Sequence, residues 1–105
     1  MKILTVCQGG SCRSVAAAFL LKYELGFPDT VAMGVKVNSP ETQNMLCRWA
    51  DRIIVTGEQE IVQKIPRQFQ DKIDFLDIGP DVWHNPMNVS LLDLLRPMMK
   101  ILVQK

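Results

Sequence analysis

The chain has 105 residues, with 12 Lys plus Arg against 11 Asp plus Glu and a net charge of +1. This length suits one domain, and hydrophobic residues at 48% with charged residues at 22% exclude extended disorder. The near-neutral balance argues against a nucleic-acid partner, since that binding rests on neutralising many phosphates, and no apolar run approaches the roughly 20 residues of a membrane span.

Ile3 to Val6 is a run of β-formers closed by Cys7-Gln8-Gly9-Gly10, and it predicts a buried strand. Ser14 to Leu25, rich in Ala, Leu, Phe and Lys, predicts a helix stopped by Gly26. Thr30 to Val35 follows the Pro28-Asp29 turn as a second strand. Ser39 and Pro40 suit the cap and first position of a helix whose apolar face is Met45, Leu46, Trp49 and Ala50. Arg52 to Thr56 predicts a third strand, Glu58 to Lys64 a short helix ended by Pro66, and Ile73 to Asp77 a fourth strand. A Gly- and Pro-punctuated loop spans Gly79 to Pro86. Val89 to Val103 predicts a last helix, built on Leu91, Leu92, Leu94, Leu95 and Met98, which Pro97 should kink or divide. Strand and helix alternate four times. That order predicts an α/β three-layer sandwich: a parallel sheet with helices on both faces, and ligands at the carboxyl ends of its strands.

The three cysteines, Cys7, Cys12 and Cys47, are an odd set. The apolar start is too short for a secretory signal, so a reducing cytoplasm is the expected setting. With one His (His84) and no Cys pair after Cys47, no metal site is expected. Cys47, beside Leu46 and Trp49, reads as core.

Cys7-Gln8-Gly9-Gly10-Ser11-Cys12-Arg13-Ser14 joins the first strand to the first helix. Two glycines allow positive φ, so backbone N–H groups can turn inward as a nest. The helix N-terminus adds free N–H groups and the positive end of its dipole. Gln8 to Ser14 thus suits a tetrahedral oxyanion, which the Arg13 fork can clamp. The same field favours a thiolate on Cys7, to which Ser14 can donate. Nucleophile and oxyanion seat are then one structure. The Cys-to-Arg spacing alone is a weak signal; strand, glycines and helix around it carry the reading.

These residues resemble the low-molecular-weight protein tyrosine phosphatase family, which has Cys, five residues, then Arg-Ser after its first strand. The likeness continues more weakly in Gly34, in Trp49-Ala50-Asp51-Arg52-Ile53-Ile54-Val55 and in Leu76-Asp77-Ile78-Gly79-Pro80-Asp81-Val82-Trp83. It is greatest to the short, predicted-phosphatase branch. The resemblance implies one domain over 1–105, a four-stranded sheet in the order 2-1-3-4, and no cofactor. It also implies hydrolysis of a phosphorylated protein or small aryl phosphate through a cysteinyl-phosphate intermediate. Cys7 would be the nucleophile and Arg13 the clamp. Asp81 would be the general acid, with Asp77 as the rival, and Trp83 would contact the substrate ring. His84 is a lesser acid–base candidate, and Cys12 is near enough in sequence to pair reversibly with Cys7. The chain has Gly10 where the family usually has Asn, and Val15 where it usually has Pro. It is also shorter. These departures keep a catalytically weak phosphate-binding protein as an alternative. A phosphocysteine carrier is another, against which Arg13 and Asp81 speak. Arsenate reduction needs a late cysteine pair that is absent.

Overall fold

The computed structural model describes residues 1–104. Its elements are β1 (Ile3–Cys7), α1 (Arg13–Tyr23), β2 (Thr30–Gly34), α2 (Pro40–Trp49), β3 (Arg52–Gly57), α3 (Gln59–Gln63), a 3-10 turn (Arg67–Lys72), β4 (Ile73–Asp77) and α4 (Val89–Val103). The strands form one parallel sheet in the order β2-β1-β3-β4, as expected. All five residues of β1 are buried, because a central strand is covered on both faces. Alternation along it divides the core. Ile3 packs with Leu20, Leu91, Leu95 and Met99 under α1 and α4. Leu4 and Val6 pack with Met33, Cys47, Ile53, Val55 and Ile61 under α2 and α3. Among the described residues no helix is long and apolar enough to cross a membrane.

The chain leaves β1 for one edge of the sheet and returns to the other side of β1 at β3. The reversal therefore lies between the carboxyl ends of β1 and β3. Cys7 and Gly57 are the last residues of those strands.

Several local expectations are corrected. α1 begins at Arg13 and ends at Tyr23, two residues before the expected end, and the chain then turns through Gly26 at φ +82°. On α2, Cys47 and Ala50 are buried and Leu46 and Trp49 pack on the core as expected, but Met45 faces outward and is 62% exposed. Leu94 likewise faces outward on α4, whose buried line is Leu91, Leu95, Met99 and Leu102. Pro97 does not divide α4. It deprives only the Asp93 carbonyl of a helical donor, and Asp93 is solvent-exposed. The 3-10 turn was not foreseen; it buries Phe69 against the α2/α3 core.

β2 continues past its last residue alongside the loop that follows β1. Val35 N–H donates to Cys7 O at 3.1 Å and Lys36 N–H to Gln8 O at 2.9 Å. This contact brings Gly34 against Gly9 and Gly10, so close that a Cβ on Gly34 would stand 2.5 Å from Gly10 N. The obstructing atoms are backbone and cannot yield cheaply. Gly34→Ala is therefore expected to lose about 1–3 kcal/mol of stability, read as a fall of several degrees in a thermal melt. An unchanged melting temperature would contradict the close approach.

Candidate active site

Cys7 closes β1 on the face that carries α1. Thr5, two residues earlier on that face, donates from Oγ1 to Ser14 O at 2.7 Å, which fixes the first turn of α1 against the strand. Cys7 Sγ then lies 3.1 Å from Ser14 Oγ, and Gly10 N–H donates to Sγ at 3.1 Å. Gly10 takes φ +68°, and a Cβ there would meet Gly34 N at 2.6 Å. An Asn at this position has no room. From the other side, Asn38 Oδ1 accepts from Gly34 N at 2.8 Å and holds that segment in place.

Cys12 is the N-cap of α1 and supplies no capping side-chain bond, so the first helical N–H groups stay uncapped. Among the described residues, the N–H groups of Ser11, Cys12, Arg13 and Ser14 take no part in the loop and turn hydrogen bonds. Gln8, Gly9 and Ser11 reach the surface, while Cys7 and Arg13 are each only 2% exposed.

Arg13 runs from the start of α1 to the ends of β3 and β4. Its Nη1 donates to Glu58 Oε1 at 3.1 Å and to Gly79 O at 2.6 Å. Its Nε is buried and has no partner, and no hydrogen bond is made through Nη2 among the described residues. Nε and Nη2 form one parallel edge of the guanidinium, the edge that matches two oxygens of a phosphate. Glu58 was missed in the sequence. The signal for it is its position directly after β3, on the sheet edge that also carries Cys7.

Asp81 lies within the field of Arg13 and in contact with Cys12. Its Oδ1 accepts from Trp83 N at 3.2 Å and His84 N at 3.4 Å, and His84 takes φ +63° to close the turn. Burial pushes the Asp81 carboxyl up, but the Trp83 N–H, the Cys12 thiol, the His84 N–H and the Arg13 charge together hold it below its ordinary value. Asp77, the rival acid, is exposed at the end of β4 opposite Gly57. Trp83 is half-buried against the α1/α4 core, with Nε1 enclosed and unpartnered; His84 is exposed. The Cys12 thiol is pushed up to about 11, first by burial and then by the neighbouring Asp81 carboxylate. Cys47 is raised by burial, with Lys72 lowering it in part.

Two surface grooves lie elsewhere. One, of about 320 Å³, is lined by Val35, Pro40, Gln43, Lys64 and Pro66. The other, of about 420 Å³, runs along α1 and the edge of β2. Neither contains Cys7 or Arg13. Converging donors mark the site.

No protein-family model matches the chain, and no curated protein matches it by sequence. Solved structures do match. A structure described as that of a protein tyrosine phosphatase superposes with a TM-score of 0.74 at 19% identity, covering 98% of this chain and 93% of its own. Vibrio vulnificus Wzb in complex with benzylphosphonate gives 0.73 at 19% identity, over 98% and 97%. YwlE arginine phosphatase, a cysteine-to-serine mutant with a phosphorylated active-site serine, gives 0.69 at 20% identity, over 100% and 97%. The expected resemblance thus holds for the fold, nearly end to end.

The raised value of Cys12 has a measurable consequence. Because the folded value lies above the ordinary 9.0, the stability linked to its protonated thiol is whole below about pH 9 and is lost as pH rises towards 11. Iodoacetamide at about pH 8 should therefore leave Cys12 unmodified in the reduced, folded protein, as read by peptide mass spectrometry. Modification of Cys12 there at the rate of an ordinary exposed thiol would contradict its placement.

Proposed function

We propose that this chain is a metal-independent phosphatase of the low-molecular-weight protein tyrosine phosphatase type, acting as one domain over 1–105. The observation that carries the proposal is the half-engaged guanidinium of Arg13. A buried N–H without an acceptor costs about 1–3 kcal/mol. Arg13 keeps one such group, Nε, beside a cysteine and the start of a helix, where an oxyanion would satisfy it. The fold is shared with a structure described as a protein tyrosine phosphatase, with an arginine phosphatase phosphorylated at its active-site serine, and with a protein bound to benzylphosphonate.

In this reading the phosphoryl group of the ester lies in the loop from Gln8 to Ser14. Arg13 Nε and Nη2 take two of its oxygens, and backbone N–H groups of the loop face the others. Cys7 Sγ, as thiolate, attacks phosphorus from the strand side. The bond from phosphorus to the ester oxygen breaks, and Asp81 gives its proton to that oxygen. Asp81 sits low in the free protein, but a bound phosphate dianion is a like charge and raises it. The resulting carboxylate takes a proton from water. The water oxygen then attacks phosphorus, and the S–P bond breaks. Its electron pair returns to Sγ, where Ser14 Oγ and Gly10 N–H stabilise the leaving thiolate. Inorganic phosphate leaves. The developing charge is met by Arg13 and backbone dipoles, so no step calls for a metal or cofactor. The substrate class is a phosphorylated protein, of the phosphotyrosine type, or a small aryl phosphate, with Trp83 at the side of the ring.

The reduced protein should hydrolyse para-nitrophenyl phosphate in the presence of a chelator. Cys7→Ser should abolish turnover, and Asp81→Asn should reduce it by about 10²–10⁴-fold, the span of general acid–base catalysis. A comparable loss in Asp77→Asn, with Asp81→Asn unaffected, would move the acid to the rival carboxylate. Turnover that survives Cys7→Ser would overturn the nucleophile.

A further inference from the structure

We propose that Gly57 is a positioning residue for Arg13: its missing side chain is the seat on which the guanidinium rests, and that seat aims the Nε/Nη2 edge at the loop. The proposal rests on the reading of Arg13 as an oxyanion clamp and adds what sets the clamp's direction. Gly57 ends β3 at the reversal point of the sheet, at φ +129°. Its carbonyl accepts from Ile78 N and Gly79 N, both at 3.2 Å, so it also fixes the start of the loop after β4. A Cβ built on Gly57 would collide with Arg13 Nη1 and would stand 3.0 Å from Arg13 Cζ and from Ile61 Cδ1. The guanidinium thus occupies the space of the absent methyl group. Above the seat, Glu58 Oε1 and Gly79 O fix Nη1. Of three surfaces that hold the group, one is packing and two are acceptors, and each comes from the junction of β3 and β4. With Nη1 fixed and one face resting on Gly57, the plane of the guanidinium has no freedom to turn. Its remaining edge then takes a single direction.

Any residue other than glycine would add a Cβ here. The atom nearest to that Cβ is the far end of a flexible side chain, not backbone. The cheapest response is displacement of the guanidinium, with the fold retained. Gly57→Ala therefore tests position. Positive φ adds a backbone cost of its own, and Gly26→Ala supplies the control. Gly26 takes φ +82°, a Cβ there meets nothing within 4 Å, and it lies after α1, far along the chain from the seat.

The experiment follows the arginine side-chain N–H signals of the reduced, nitrogen-15-labelled full chain by NMR, while inorganic phosphate is titrated. In wild type and in Gly26→Ala, the Arg13 Nε–H signal should be sharp and should shift with phosphate. In Gly57→Ala it should move or broaden before any phosphate is added. Phosphate binding should also weaken by roughly tenfold or more, the scale of one lost charge-assisted hydrogen bond. Both variants should still unfold in one cooperative transition, with the melting temperature of Gly57→Ala falling further because it adds the collision with Arg13 to the cost of positive φ. An Arg13 signal in Gly57→Ala identical to that of Gly26→Ala, or equal phosphate affinity in the two, would overturn the seat. An Arg13 signal that never responds to phosphate in wild type would overturn the clamp reading instead; the phosphate-free comparison of the two variants still decides the seat.

Discussion

A buried cation with only part of its hydrogen-bonding capacity met is the constraint on which the rest of this molecule turns. Removing a guanidinium from water costs several kcal/mol unless partners replace the solvent. Arg13 has two partners, Glu58 and the Gly79 carbonyl, and both sit on the same nitrogen. That asymmetry explains much of the surrounding architecture. Thr5 ties the first turn of α1 to β1, so that Arg13 departs from a fixed point. The ends of β3 and β4 supply the acceptors, glycines at 10 and 34 let two backbone segments approach without side chains between them, and Gly57 leaves room for the guanidinium. The outcome is a cation held rigidly, with one edge still able to bind.

The doubly wound order places these parts together with no long-range design beyond the sheet itself. Parallel strands deliver all their carboxyl ends to one side, and the chain reverses between β1 and β3. The nucleophile candidate ends the first of those strands and the arginine's seat ends the second. Asp81 arrives on the loop after β4 and touches Cys12. In the proposed mechanism its carboxylate has two jobs that pull in opposite directions. As the cap of the Trp83–His84 turn it is held charged, yet to donate a proton it must be neutral. In that mechanism a bound phosphate dianion resolves the conflict electrostatically, because its like charge raises the carboxyl while the ester is in place.

The inner strands were legible because buried parallel strands are continuous apolar runs, as in Ile3–Val6 and Ile53–Val55, while β4, at the sheet edge, was legible from its β-formers Ile73, Phe75 and Leu76 despite Asp74 and Asp77. The loop from Cys7 to Ser14 was legible because its glycines, helix start and arginine serve one local purpose. What escaped the sequence depends on contacts distant along the chain. Glu58 reads locally as an ordinary charged start of a helix, and only the sheet brings it to Arg13, 45 residues away. On α2, Cys47 is core as its neighbours Leu46 and Trp49 suggested, and Met45 alone was misplaced: it is apolar, but its turn of the helix faces away from the sheet. Gly10 stood out as a departure from the family's usual Asn, but the close approach of Gly34 excludes any side chain there, and Asn38 holds Gly34 from the far side.

Passage of phosphate through Cys7 is open to one direct measurement. Reduced protein is mixed with para-nitrophenyl phosphate, quenched within the first turnover, digested under conditions that spare phosphocysteine, and mapped by mass spectrometry. The account predicts phosphate on the peptide containing Cys7, formed in a burst that precedes steady release of inorganic phosphate. Turnover with no phosphoenzyme at any quench time, or with phosphate on another residue, would contradict it.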